Sequence, residues 1–275
     1  TFTAVSLVIL FYFSSATAQS GSVDFNIDKN FDLSARSKIS AELVKTTANL
    51  YFYVEKSWWD QQVQAKKSEI LANLDNVSVE FSTKIYPILT SVFGSEWKPG
   101  VDGDTKITLL FHPMKEGVGG YFRSSDEYIK LQLPDSNEKE MLYLSTSQID
   151  QTQLKVFLAH EFVHLITFNQ KDKIKGVGEE IWLNEARAEY ASNLLGYNDV
   201  YEGSGLQKRV KDFLQSPSDS LTEWQESKYD YSVSTLFIHY LVNHYGISIL
   251  SDSLQSKLVG IPSINESLLK QGSKE

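Results

Sequence analysis

Two histidines and a glutamate in the middle of the chain have the types and spacing of a site that binds a metal and activates water. His160, Glu161 and His164 form an H-E-x-x-H sequence inside an apolar stretch with helical period. Residues four apart lie one turn apart on one helix face, so both imidazoles can bind one ion while Glu161 projects beside it. A catalytic zinc ion needs a further protein ligand and an open position for water. Glu185 is the candidate, on a second helix that returns antiparallel to the first.

This residue set predicts hydrolysis. One zinc ion held by His160, His164 and Glu185 would lower the pKa of a water molecule and polarise a scissile carbonyl. Glu161, which is not a ligand, would take the proton from that water and deliver it to the leaving amine. Glu189 lies one turn beyond Glu185, placed to hydrogen-bond a ligand histidine and fix its tautomer, although an acidic pair at this spacing can also be a solvated face.

The hydrophobic pattern predicts the elements that must position these residues. Strands are predicted at 47–55, 105–111 and 141–145, and a helix at 74–92 that Pro87 bends or interrupts. Further helices are predicted at 151–170, 179–195, 205–215 and 230–246. This order predicts an α+β fold, with a mixed sheet in residues 19–150 and a mainly helical half in residues 151–275 that carries the site.

The composition excludes some classes of function. The 275 residues include no cysteine and carry 26 Lys plus Arg against 35 Asp plus Glu, a net charge of −9. The length allows one sizeable core, and the 41% hydrophobic content is typical of a folded protein. An acidic chain without a long basic run argues against a nucleic-acid partner. Without thiolates, only imidazole and carboxylate remain to bind zinc.

The first residues predict export. Residues 4–13 are apolar apart from Ser6, and an A-x-A sequence ends at Ala18. We expect a signal peptide at 1–18, cleavage after Ala18 and a secreted, extracellular or cell-surface protein without a stable membrane span after cleavage. A buried N-terminal strand or an uncleaved anchor is the alternative. We also expect the natural polypeptide to continue at both ends.

Five segments resemble successive blocks of the hyicolysin-type secreted bacterial metalloproteinases, a gluzincin group. They are PGVDGDTKITLLF, GVGGYFRSSDEY, SNEKEMLYLS, LAHEFVHLITFNQK and EEIWLNEARAEYAS, and the likeness covers about residues 48–246. A metzincin would instead need glycine at Thr167 and histidine at Gln170. The chain departs from the group at 186–188, where Ala-Arg-Ala replaces a Gly-Leu-Ala type of sequence. That difference leaves Glu185 unchanged but bears on the local shape of the cleft.

The resemblance implies a zincin-like fold whose sheet has an edge strand along the active-site cleft, with residues 141–145 as that strand. It also implies a Tyr or His beyond the third ligand that donates a hydrogen bond to the oxyanion. Tyr231 best matches this residue, with Tyr229 and His239 as competitors. A packing role for Tyr231 is an equal alternative.

The sequence therefore predicts a secreted zinc endopeptidase that acts on proteins or peptides, and two other functions stay open. A zinc aminopeptidase would need an acidic group to hold the free amine of the substrate. A non-catalytic binding or surface module on the same scaffold would not need Glu161. Asp102 and Asp104 resemble a calcium-binding pair, although two acids flanking a glycine are more often only a turn.

Overall fold

The strands of the described residues, 21–272, form one mixed sheet in this computed structural model. They are β1 (Val23–Asn26), β2 (Lys38–Thr46), β3 (Leu50–Glu55), β4 (Ile107–His112), β5 (Gly120–Phe122) and β6 (Met141–Ser145). Their order is β1-β2-β3-β4-β6-β5; β3, β4 and β6 are parallel, and the other neighbours are antiparallel. Together with the helices, this sheet confirms the predicted α+β class. The predicted signal peptide, residues 1–18, lies outside the described residues.

The prediction that residues 141–145 form the edge strand is wrong. β6 lies between β4 and β5, and all of its residues are buried. A short continuous apolar run is typical of a strand that is covered on both faces, as an interior strand is. The edge is instead the three-residue strand β5, which pairs with β6 through Gly120, Tyr121 and Phe122.

The first half also contains helices, which pack against the sheet. They are α1 (Lys56–Asp60), α2 (Gln64–Glu80) and α3 (Tyr86–Phe93). The predicted helix at 74–92 therefore begins earlier, at Gln64, and its interruption is the π-helical turn Phe81–Ile85. Pro87 follows in the first turn of α3, where the missing N–H of proline costs least.

The helical pattern predicted after residue 151 is observed. The helices are α4 (Leu154–Thr167), α5 (Ile181–Leu194), α6 (Gly205–Phe213), α7 (Lys228–Tyr245), α8 (Ser248–Gln255) and α9 (Gly260–Lys270). A π-helical turn, Phe168–Lys173, extends α4. α7 begins at a capping box in which Ser227 and Asp230 each accept a hydrogen bond from the other's backbone N–H. Within residues 21–272, no helix combines the length and apolar character that a membrane crossing needs.

Side chains of the central strands alternate between two apolar layers. Leu109 and Leu144 face the helices and join the main core, whereas Leu110 and Tyr143 face the opposite side of the sheet. The apolar cluster on that opposite side also includes Phe25, Ile27 and Ile39 from the first strands of the sheet and their connection. The main core includes most of the buried apolar residues of α4, so this helix is fixed directly against β5 and β6.

Candidate metal centre

α4 and α5 bring the three predicted ligands to one point. His160 and His164 lie one turn apart on α4, with their Nε2 atoms 3.2 Å apart. Glu185 on α5 places Oε2 3.2 Å from His160 Nε2 and Oε1 3.4 Å from His164 Nε2. The candidate ligand atoms all lie within 4.8 Å of one another. In the described part of the chain, no other three or more His, Asp or Glu side chains come this close together.

The burial of α4 determines which way its histidines point. Leu158, Phe162 and Leu165 recur at spacings of four and three, and all are buried in the main core. A two-residue offset on a helix is a rotation of roughly 200°. His160 and His164, offset by two from Leu158 and Phe162, therefore face away from this stripe and toward α5. Helix packing, rather than a loop, sets the direction of both imidazoles.

Polar side chains around the ligands orient them. Asn184 Oδ1 lies 3.1 Å from His164 Nδ1, so an N–H at Nδ1 can donate to the amide and leave the Nε2 lone pair facing Glu185. Glu189 Oε1 is 3.8 Å from His160 Nδ1, an ion-pair contact too long for a hydrogen bond. The hydrogen bond predicted from Glu189 to a ligand histidine is thus absent from this structure. Glu189 accepts two hydrogen bonds from Arg209, of 2.8 and 2.6 Å.

Glu161 is buried beside the edge strand. A methyl group added at Gly120 would lie 3.1 Å from Glu161 Cγ and 2.8 Å from the carbonyl oxygen of Tyr143. One added at Gly119 would lie 2.1 Å from the ring of Phe157. The two glycines therefore let the backbone of β5 approach α4 more closely than any side chain permits. This close packing, rather than a free turn, explains the Gly-Gly sequence.

The charges of the cluster stabilise one another. Burial lowers the pKa of His164, but the carboxylates of Glu185 and Glu161 outweigh burial and raise that pKa to about 9. Burial raises the pKa of Glu185, but the two histidines hold it well below its ordinary range. Burial also raises the pKa of Glu161, and the histidines offset only part of this effect. Because the pKa of His164 is raised, a cation that bound to its imidazole would displace a proton, so metal binding here should weaken at low pH.

α7 brings Tyr231 toward the ligands. Its ring centroid lies 4.8 Å from the guanidinium carbon of Arg209 and 4.9 Å from the ring centroid of Trp224. Burial raises the pKa of Tyr231, and the charges of Glu185 and Glu189 raise it further. The phenol therefore keeps its proton and can act as a hydrogen-bond donor.

The two competitors of Tyr231 have different surroundings. His239 packs edge-on against Tyr190, with 4.8 Å between ring centroids, and its buried Nε2 has no hydrogen-bond partner in the described residues. Burial lowers the pKa of His239, and the only carboxylate that counteracts this is Glu189. Tyr229 has the ammonium of Lys228 5.0 Å from its ring centroid. The charge of the predicted ligand Glu185 acts on the phenol of Tyr231 and not on the imidazole of His239.

The remaining histidines lie away from the cluster. His112 is buried on β4, with Nδ1 3.3 Å from Asp32 and Nε2 3.2 Å from the hydroxyl of Tyr121. His244 lies on α7 with Nδ1 2.9 Å from the Tyr240 carbonyl oxygen. Both positions are typical of structural or surface histidines.

Arg187, where the sequence departs from the gluzincin pattern, points away from the cluster. It is fully buried and donates to Glu179 Oε2 at 2.7 Å. The same carboxylate oxygen lies 3.4 Å from the Lys171 ammonium, which donates to the carbonyls of Ser256 and Leu258 at 3.0 and 2.6 Å. This buried charge cluster joins the α4–α5 connection to the last two helices. The departure therefore affects helix packing, and not the wall beside Glu185.

A cavity of about 520 Å³ opens beside His160. Its walls include Phe157 of α4, Glu189 of α5, Arg209 of α6 and Tyr197 of the connection between α5 and α6. A molecule in this cavity would meet the centre from the side of His160.

Asn184 and Arg209 are candidate functional residues that the sequence analysis missed. The only available signal for Asn184 is its place directly before Glu185. Arg209 lies on a different helix from Glu189, and no spacing rule links the two. A glutamate that is largely buried, as Glu189 is, needs a cationic partner, but the sequence does not indicate that this partner is Arg209.

The donor set fits zinc. Two imidazoles and one carboxylate are ligand types that zinc accepts, and the hydrogen bond at His164 Nδ1 selects the tautomer that can ligate through Nε2. No protein-family model and no curated protein matches this chain. The geometry of the cluster is therefore the main support for assigning a function.

Proposed function

We propose that this protein is a secreted, zinc-dependent endopeptidase of gluzincin type that hydrolyses peptide bonds in proteins outside the cell. The proposal is carried by the convergence of His160, His164 and Glu185, whose ligand atoms lie within 4.8 Å of one another, beside a buried Glu161. The group has three members in the described chain, which leaves the fourth position of a tetrahedral ion for water or substrate. A structural zinc site would be closed and would need no general base.

Glu161 is the proposed general base and acid. A bound zinc ion would act as a Lewis acid that lowers the pKa of water and polarises the scissile carbonyl. Glu161 takes the proton from the attacking water and gives it to the leaving amine. Its burial raises its pKa, which suits a carboxylate that must hold a proton between these two steps.

Tyr231 and β5 are proposed to position the substrate and its developing charge. The phenol of Tyr231 donates a hydrogen bond to the oxyanion. β5 pairs on one side only, with β6, so the backbone groups on its other side can pair with an extended peptide next to Glu161. Such a cleft is the zincin-like arrangement, with β5 rather than β6 as its edge.

The test is hydrolysis of casein by the mature protein, with zinc content measured on the same samples. We expect a chelator to abolish hydrolysis and added zinc to restore it. Glu161→Gln should keep one zinc ion per chain and lose roughly 10²- to 10⁴-fold in turnover, whereas Glu185→Ala should lose zinc affinity. Glu116→Gln makes the same chemical change at an exposed position and should leave both the zinc content and the turnover unchanged. Hydrolysis that survived the chelator or Glu161→Gln would end the proposal.

A blocked substrate distinguishes endopeptidase from aminopeptidase action. Holding a substrate ammonium group would require a free carboxylate, and Glu189 is already engaged by Arg209 through two hydrogen bonds. We therefore expect cleavage of an internally quenched peptide whose N-terminus is acetylated. Cleavage of the free peptide alone would favour the aminopeptidase.

A further inference from the structure

Two buried carboxylates meet at the ends of the connection between β5 and β6. Glu127 ends the 3₁₀ turn Ser124–Glu127, and Glu140 directly precedes β6. Glu127 is 0% exposed and Glu140 is 3% exposed. The two groups are close enough to hydrogen-bond to each other if one of them holds a proton.

Three of the four oxygens of this pair have no partner in the described residues. Both oxygens of Glu127 and Oε2 of Glu140 are buried without a hydrogen bond, while Glu140 Oε1 accepts one from the Val101 N–H at 2.7 Å. No ammonium, guanidinium or imidazole among residues 21–272 forms an ion pair with either group. Lys173, the cation that acts on Glu127, is exposed and has its ammonium 3.5 Å from the ring centroid of Trp97. Buried carboxylate oxygens are rarely left without a hydrogen-bond donor, a water molecule or an ion as partner.

The turn 100–102 encloses the Glu140 carboxylate. Gly100 has φ +89°, and a methyl group there would lie 1.7 Å from Glu140 Oε2. The backbone therefore passes directly over the carboxylate, which only glycine allows at this position. Asp102 is near enough for its charge to raise the pKa of Glu140.

Asp102 and Asp104, which resemble a calcium-binding pair in the sequence, already accept hydrogen bonds from the protein. Asp102 Oδ1 accepts from the Asp104 N–H at 2.9 Å, and Asp102 Oδ2 from Lys139 at 3.0 Å. Asp104 Oδ2 accepts from the Tyr51 hydroxyl at 2.8 Å. This pair therefore forms a hydrogen-bonded turn, and the free oxygens are those of Glu127 and Glu140.

A shared proton would leave this pair incompletely satisfied. Burial raises the pKa of both carboxyls, and the charge of Glu140 raises that of Glu127 further, so without a cation the pair favours a shared proton. That proton occupies one oxygen and is donated to a second, so the third stays unpaired. A divalent cation balances two negative charges and can contact all three oxygens.

We infer that Glu127 and Glu140 form a second metal site, for a hard divalent cation of the Ca²⁺ type. Both residues offer only oxygen, which suits Ca²⁺ or Mg²⁺ and not zinc. The ion would link Glu140, which the turn 100–102 encloses, to Glu127 in the connection that follows β5. It would thereby restrict movement of the edge strand. This inference does not depend on the proposed function.

The test is calorimetric titration of metal-stripped protein with CaCl₂ alone, and separately with MgCl₂, followed by thermal unfolding. We expect one Ca²⁺ per chain, a higher Tm with Ca²⁺ and binding at least tenfold weaker in Glu127→Gln and in Glu140→Gln. Glutamine keeps the shape and removes a buried charge, so both variants should fold. Asp135→Asn, an exposed change in the same connection, and Glu185→Ala, which removes a zinc ligand, should bind Ca²⁺ like the wild type.

Two outcomes would overturn the inference. Wild-type protein that shows neither heat nor a Tm change with either ion would indicate that the pair holds only a proton. Ca²⁺ binding that persists in both glutamine variants would place the ion elsewhere. Loss of binding in Glu185→Ala alone would assign the heat to the His160 cluster, and so also count against a second site.

Discussion

At the scale of single residues, Arg209 links the outer carboxylate of the centre to the proposed oxyanion donor. Its guanidinium donates two hydrogen bonds to Glu189, and its Cζ atom lies 4.8 Å from the ring centroid of Tyr231. Glu189 in turn lies 3.8 Å from the Nδ1 of His160. One side chain from α6 therefore supports groups that belong to α4, α5 and α7.

Replacing the phenol of Tyr231 tests its role directly. We expect Tyr231→Phe to lower kcat by roughly 10²-fold, the order found when one oxyanion donor is removed, with zinc content close to that of the wild type. Tyr229→Phe makes the same change two residues away and should leave kcat unchanged. An unaltered kcat in Tyr231→Phe would move the role to His239 or Tyr229.

The spacing of residues along the chain allowed the three ligand candidates to be predicted, whereas the other contacts between helices could not be. His160 and His164 are one turn apart whatever the rest of the chain does, and Glu185 follows at the distance that a returning helix requires. Asn184 and Arg209 reach the centre only because α5 and α6 pack as they do. Neither residue type nor spacing carries that information.

At the scale of elements, the shortest of the described strands packs directly against α4. β5 has three residues, and Gly120 brings its backbone against Glu161 and against the Tyr143 carbonyl of β6. An edge strand is normally the least constrained part of a sheet. Here α4 on one side and the proposed cation site at the following connection hold it in place.

A methyl group at Gly120 should displace this strand from both of its neighbours, β6 and α4. Because the added carbon would lie 2.8 Å from a backbone oxygen, the strand must move, and overpacking of this kind costs about 1–3 kcal/mol. We expect Gly120→Ala to lower the Tm and kcat/KM while zinc content stays normal. Gly178→Ala, where the methyl would lie 3.7 Å from the nearest atom, is the matched control. Equal kcat/KM in the two variants would show that the contact is unimportant for activity.

The elements that the sequence analysis missed have weak patterns for a physical reason. β2 places only Ile39 and Ala41 among its buried residues, and its other positions are partly or fully exposed. A strand with one buried face needs apolar residues only at alternate positions, so polar types occupy most of the others. β6 was predicted as a strand because its apolar run is continuous, and the same property places it inside the sheet.

At the scale of the whole molecule, buried ion networks lie on both sides of the sheet. On the side opposite the helices, Asp32 accepts hydrogen bonds from the Arg36 side chain and from two backbone N–H groups. Arg36 also donates hydrogen bonds to Glu55. Burial opposes ionisation of Asp32, but these hydrogen bonds lower its pKa to about 2. The network therefore contributes stability only while this carboxylate is ionised.

The pH dependence of unfolding follows from that pKa. A folded pKa below the unfolded value means that the stability is complete above about pH 4 and is lost as the pH falls toward 2. We expect Asp32→Asn to lower the free energy of unfolding by about 2 kcal/mol at pH 6, with a difference that shrinks at acid pH. Urea unfolding at several pH values measures this, with the exposed Asp60→Asn as control. A difference that stayed constant down to pH 2.5 would contradict the assignment.

The buried cluster of Lys171, Glu179 and Arg187 also bears on the order in which the chain assembles. During synthesis, α4 and α5 leave the ribosome before residues 256–258. In the folded protein, Lys171 and Arg187 are both buried against the single carboxylate of Glu179. The carbonyls of Ser256 and Leu258 complete the solvation of Lys171. A nascent chain that holds all of the proposed zinc ligands should therefore remain loosely packed around them until α8 has emerged and docked.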